Sequence, residues 1–122
     1  MLFVVSFLLP YPPSLNAYRL HDRRGFTYPS KKAREYKLAV HDIVGKNTTD
    51  KNVQLSIKLL PKLTKKGFAS KQCLDLDNCL KVALDALQGC LYDNDNQVKR
   101  ILLEYGEPIE NGGLSIECEI LN

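Results

Sequence analysis

"DLDNCLKVALDALQGCLYDNDNQV", residues 75–98, switches from helical periodicity to a turn and back to a strand, and that sequence of changes sets the fold. From Asn78 onward Leu80, Ala83, Leu84 and Leu87 share one side of a helix, and Cys79, Val82 and Ala86 widen it. Gly89 is the stop. Asn78, Lys81, Asp85 and Gln88 are left as a narrow polar stripe. A helix of about 11 residues is ~16 Å long, so the loop after Gly89 must carry the chain back to a sheet.

Strands flank this helix on both sides. Val53, Leu55, Ile57 and Leu59 alternate with polar residues before it, which predicts a strand with one buried face. After it, Val98, Ile101, Leu103 and Tyr105 predict a strand with an irregularity near Lys99 and Arg100. Leu114, Ile116, Cys118 and Ile120 predict another, and the NGG at 111–113 reads as a hairpin turn between these two. Upstream, Leu2 to Leu8 reads as a strand ended by PYPPS, and HDRRGFTYP as a long polar loop. Ser30 caps a helix whose apolar side is Ala33, Tyr36, Val40, Ile43 and Val44, with Gly45 as its end. PKLTKKGFASKQ reads as a flexible basic loop. The expected fold is α+β: one small domain over residues 1–122, in β-α-β-α-β-β order, its four-stranded mixed sheet covered by two helices.

The charge is divided unevenly along the chain. Residues 1–72 hold 14 Lys or Arg against 4 Asp or Glu, and residues 73–122 hold 3 against 10. The basic half, with Lys58, Lys62, Lys65, Lys66 and Lys71 clustered and no acid between residues 51 and 72, would attract a polyanion. The amino-terminal MLFVVSFLL is cut off by Pro10, lacks preceding basic residues, and is too short to span a bilayer, so neither a signal peptide nor a membrane anchor is expected. Cys73, Cys79, Cys90 and Cys118 have no C-x-x-C spacing and only His21 and His41 accompany them, so reduced thiols in a cytoplasm are expected and a zinc site is not.

The acidic stretch carries the candidate chemistry. Asp75 and Asp77 share a face if the backbone there is extended, and a strand near Val98 lying beside one near Leu74 would bring Asp95 to them. Three carboxylates in one place repel one another unless a cation joins them, and oxygen ligands with few histidines select Mg²⁺ or Mn²⁺. Lys81 stands four residues after Asp77, one helical turn away. Each residue alone also has a plain structural reading: Asp77 or Asn78 as the helix cap, Asp93 and Asp95 as turn residues, Lys81 as a surface ion pair. Asp93, Asp95 and Glu104 occupy positions one, three and twelve of a calcium loop, but Val98 stands where that loop needs glycine.

DLDNCLKVALDAL at 75–87, NDNQV at 94–98 and LPYPPSLNAYR at 9–19 together resemble the RusA-type Holliday junction resolvases over nearly the whole length. The resemblance implies a homodimeric, Mg²⁺-dependent endodeoxyribonuclease (Mn²⁺ able to substitute) of bacterial or phage origin that nicks four-way DNA junctions in recombination and repair or phage DNA processing. It implies Asp75, Asp77 and Asp95 as metal ligands and Lys81 as the lysine needed for cleavage; Asn16, Asn78 and Asp85 are expected as supporting residues, with Asp85 on the stripe it shares with Lys81 and placed to position it. Arg19, Arg23, Arg24, Lys62, Lys65, Lys66 and Lys71 are the candidate DNA contacts. Two features depart from the family's pattern. KQCL at 71–74 replaces an arginine-rich run, and Asn94 stands where an acid is common, which ranks Asp93 below the other three. The competing readings are a nuclease for flaps or forks and a non-catalytic nucleic-acid-binding module.

Overall fold

Val53, Leu55, Ile57 and Leu59 are fully buried while the residues between them are not, so the strand alternation predicted for this segment is realised in full. The structure is a computed structural model that describes residues 4–21, 23–46 and 48–121, with the side chains of Arg19 and His21 outside that description. Leu2 and Phe3 of the predicted first strand also lie outside the described residues.

In chain order the elements are β1 (Val4–Leu9), the single-turn α1 (Leu15–Tyr18), β2 (Arg19–His21), β3 (Thr27–Pro29), α2 (Lys31–Val44), β4 (Val53–Leu60), α3 (Leu76–Leu87), β5 (Val98–Tyr105) and β6 (Gly113–Ile120). The main sheet runs β1-β6-β4-β5. β6 is antiparallel to both β1 and β4, and β5 is parallel to β4. Leu114, Ile116, Val40, Val82, Ala86 and Leu87 close one core over β4, so α2 and α3 cover the sheet as the α+β reading expects.

Helix α2 follows its sequence closely. Ser30 Oγ accepts the Ala33 N–H at 3.0 Å, and Ala33, Tyr36, Val40 and Val44 are buried, although Ile43 is exposed. His41 joins α2 to α3, its Nε2 lying 3.0 Å from the Ala86 carbonyl. The irregularity expected in β5 is a bulge: Val98 pairs with Val53 and Arg100 with Gln54, leaving Lys99 as the extra residue.

Four expectations are corrected. The NGG turn forms, with Asn111 and Gly112 at positive φ, but β5 and β6 are not partners because β4 lies between them. The connection instead crosses the end of β4, where the Gly106 N–H bonds the Leu59 carbonyl and the Ile109 N–H bonds the Pro61 carbonyl, each at 3.0 Å. The segment at 62–70 is a hydrogen-bonded hairpin and not a flexible loop, with Leu63 opposite Ala69 and the Ser70 N–H on the Lys62 carbonyl at 2.8 Å. The polar run before α2 contains the β2–β3 ribbon, whose exposed residues give no alternation to read. Finally, α3 begins at Leu76, so Asp77 is already helical and only Asp75 is extended.

Gln97 is 8% exposed and fully bonded. Its Oε1 accepts the N–H groups of Asp93 and Asn94 at 2.9 and 2.8 Å, and its Nε2 donates to the carbonyls of Thr49 and Lys51 at 2.7 and 2.8 Å. Gln97→Ala strands four backbone groups, so a loss of about 2–4 kcal/mol in denaturant unfolding is expected, with faster amide exchange at Asp93 and Asn94.

Burial also leaves a mark on the thiols. All four cysteines are free, and desolvation pushes Cys79 up to about 12 and Cys90 and Cys118 up to about 11. In the unfolded chain they titrate near ~8.5, so above that pH the unfolded state binds fewer protons than the folded one. The thiol contribution to stability is therefore complete below about pH 8.5 and is lost as the pH climbs toward about 11. Urea unfolding under reducing conditions should show a lower midpoint at pH 10 than at pH 7.5.

Candidate active site

Helix α3 is the carrier of the site. Its inner side, Cys79, Val82, Ala83, Ala86 and Leu87, is buried against the sheet and α2, which leaves its polar stripe facing outward. Three of the four stripe residues hold neighbouring segments. Asn78 Oδ1 accepts the Leu15 N–H at 2.7 Å, the Tyr18 hydroxyl donates to Asp85 Oδ2, and Gln88 Oε1 accepts the Asp95 N–H at 3.1 Å. The fourth, Lys81, is exposed. Asn78 and Asp85 thus fasten the PYPPSLNAY segment to α3, a supporting role; Asn16 in α1 is exposed.

Asp75 occupies the N-cap position of α3, with φ −65° and ψ 150°, yet its side chain makes no capping hydrogen bond. The cap position expected at Asp77 or Asn78 therefore belongs to Asp75, whose carboxylate is not spent on it. Asp77 lies in the first turn, and both carboxylates are exposed at the positive end of the helix.

The backbone leading into this pair is gripped by two tyrosines. The Leu74 N–H donates to Tyr11 Oη at 2.9 Å, and the Tyr105 hydroxyl donates to the Leu74 carbonyl at 2.8 Å. The Tyr11 hydroxyl in turn points at Cys73 Sγ, 3.5 Å away. Desolvation, then the Cys73 hydrogen bond, pushes the Tyr11 phenol up to about 12. Tyr105 is also raised, by desolvation first and then by Cys73, Asp75, Cys79 and Asp77. Sequence reasoning assigns neither tyrosine a part in the site. Tyr11 and Tyr18 nevertheless stand inside LPYPPSLNAYR, and Gln97 inside NDNQV, so the motifs hold the signal.

Asp95 opens a single 3-10 turn, Asp95–Gln97, capped by Asn94. Through Gln88 it is tied to the carboxyl-terminal end of α3, whereas Asp75 and Asp77 stand at the amino-terminal end. Twelve helical residues separate those ends, a span of about 18 Å. The expected approach of Asp95 to Asp75 and Asp77 within one chain is therefore not what the fold gives. Leu74 belongs to no strand, and β5 runs beside β4. Among the described residues, no group of three or more His, Cys, Asp or Glu is close enough to hold a metal ion. Asp93 is exposed, its backbone N–H held by Gln97, in keeping with a loop-shaping part.

Arg23, Arg24, Lys62, Lys65, Lys66 and Lys71 are all exposed, while the Arg19 side chain lies outside the described residues. The Lys62 ammonium sits 5.8 Å from the centre of the Tyr11 ring, on a cleft of about 530 Å³ that Lys32 and Tyr36 also line. Since Tyr11 holds Leu74, this cleft, which Glu35 lines beside the two lysines, adjoins the approach to Asp75. Among the described residues, no helix is long and apolar enough to cross a membrane.

The family model of endodeoxyribonuclease RusA matches residues 10–119. A protein of Enterobacteria phage HK97, crossover junction endodeoxyribonuclease rusA, is 34% identical over 117 residues, which cover 92% of this chain and 91% of the phage protein. The non-catalytic binding module is thereby set aside. With the family model spanning most of its length and this relative sharing a third of its residues, the chain belongs to the RusA endodeoxyribonuclease family, enzymes that hydrolyse phosphodiester bonds within DNA.

Proposed function

We propose that the protein is a homodimeric, Mg²⁺-dependent endonuclease, with Mn²⁺ able to substitute, that resolves four-way DNA junctions by paired nicks during recombination and repair or phage DNA processing. The observation that carries the reading is Asp75, a helix N-cap whose carboxylate does not cap, beside Asp77 in the first turn and Lys81 one turn further. Support for the junction as substrate comes from the phage relative, whose name specifies a crossover junction.

Hard oxygen donors at the positive end of a helix suit Mg²⁺ or Mn²⁺, and Asp75 and Asp77 would hold the ion. Bound there, it supplies Lewis-acid charge that activates water and neutralises the phosphate. Lys81 offers its ammonium to the scissile phosphate, and the tyrosine grip on Leu74 fixes where the first carboxylate stands. Asp95, at the far end of α3, is too distant to serve the same chain's pair. In a two-fold dimer with the α3 helices antiparallel, each site would combine Asp75 and Asp77 of one subunit with the partner subunit's Asp95. Two such sites on one symmetric dimer match the two opposed strands that a junction requires to be cut.

Asp75→Asn and Asp95→Asn are each expected to bind a synthetic four-way junction but to lose cleavage by more than the ~100-fold that even outer partners of metal ligands command. Normal cleavage by either variant would overturn the site. Mixing the two inactive variants tests where Asp95 acts: if sites are shared between subunits, the mixed dimer keeps one intact site and single nicks return. If each chain builds its own site, both stay dead.

A further inference from the structure

The chain carries one four-residue tip twice, Arg23-Arg24-Gly25-Phe26 and Lys65-Lys66-Gly67-Phe68. The match extends to the backbone. In the β2–β3 ribbon the closing pair is His21 opposite Thr27, and in the second hairpin it is Leu63 opposite Ala69, so both loops have the same length and the phenylalanine precedes the closing residue in each. Gly25 and Gly67 have φ of 84° and 85°. In the second hairpin the Gly67 N–H bonds the Thr64 carbonyl at 3.0 Å and the Thr64 N–H bonds the Phe68 carbonyl at 2.7 Å. Lys65 and Lys66 are thus the central residues of a tight turn, and the glycine is the left-handed residue that follows it. A β-carbon at Gly25 or Gly67 would meet nothing within 4 Å, so the dihedral and not crowding accounts for the glycine at both places.

The outcome is two phenyl rings held out at equivalent positions, Phe26 at 65% and Phe68 at 71% exposure, each behind two cations. The Arg24 guanidinium lies 5.6 Å from the Phe26 ring centre. Both tips belong to segments connected to the elements that carry the candidate site. The Lys65–Phe68 hairpin runs through Leu74 into Asp75, and the ribbon follows α1, whose Tyr18 is bonded to Asp85 of α3. Paired cations suit phosphates, and an exposed ring suits the face of a base, a combination that serves unstacked nucleic acid. A continuous duplex has no free base face to offer. A branch point does, because stacking is interrupted there.

The geometry points to the two tips as matched stacking probes, whose cations hold the backbone while Phe26 and Phe68 stack on bases unstacked at the branch point of a DNA junction. This rests on the junction reading above and adds to it a physical basis for choosing branched over linear DNA.

Four-way junctions carrying 2-aminopurine at the branch point test it, with wild type, Phe26→Ala, Phe68→Ala and the double variant compared in Ca²⁺ and complex formation checked by gel shift. Wild type should brighten the probe on binding. Each single change should weaken junction affinity about tenfold with the salt slope unchanged, and the double variant should abolish the brightening at saturation. Lys65→Ala with Lys66→Ala should do the opposite, lowering the salt slope by up to about 2 while the brightening persists. A junction that is bound by wild type without brightening, or brightening that survives the double change, overturns the stacking role while leaving the junction reading intact. Equal affinity for four-way junction and linear duplex would bring down both.

Discussion

A helix that buries most of its circumference has little polar surface to give, and in α3 that constraint organises everything around it. Cys79, Val82, Ala83, Ala86 and Leu87 must face the sheet and α2, which fixes the helix's rotation. The polar stripe that remains cannot be idle where neighbouring chain covers it, so Asn78 takes an amide proton from α1, Asp85 takes a hydroxyl proton from Tyr18, and Gln88 takes the Asp95 amide proton. The first two of these bonds draw together segments more than sixty residues apart in sequence. Lys81 is left as the cation of the stripe that faces solvent.

The same rotation decides how the carboxylates divide their work. Asp85 lies where the stripe meets α1 and becomes a tether; Asp93 lies where Gln97 gathers the loop and becomes part of a turn. Asp75 and Asp77 stand at the free amino-terminal end, where the helix dipole favours negative charge and where the tyrosine grip on Leu74 keeps the approach extended. Asp95 is presented at the opposite end. A nuclease assembled this way has its acidic groups set by a rigid rod.

Elements with a buried face are legible in the amino-acid pattern. β4 and β6 announce themselves because one face of β4 is fully buried and one face of β6 is buried up to the half-buried Ile120, and α2 because Ser30 and Gly45 bracket an apolar stripe. The bulge at Lys99 shows as a break in alternation. Elements without a buried face are not legible. The β2–β3 ribbon and the hairpin at 62–70 are held by backbone hydrogen bonds and tight turns, so their side chains carry no periodic signal. The pairing of β5 with β4 is equally hidden, since NGG between two apolar runs looks the same whether the runs are neighbours or a third strand lies between them.

By itself the sequence determined the helix at 76–87 and the family to which the chain belongs, and it named the residues of the candidate site, because these depend on local pattern and on motifs that survive in linear order. Only the tertiary structure decided which carboxylates stand together. Position along a strand or loop leaves direction open, but once α3 is formed its rise of about 1.5 Å per residue puts Asp95 one helix length from Asp75 and Asp77, and no local rearrangement removes that distance.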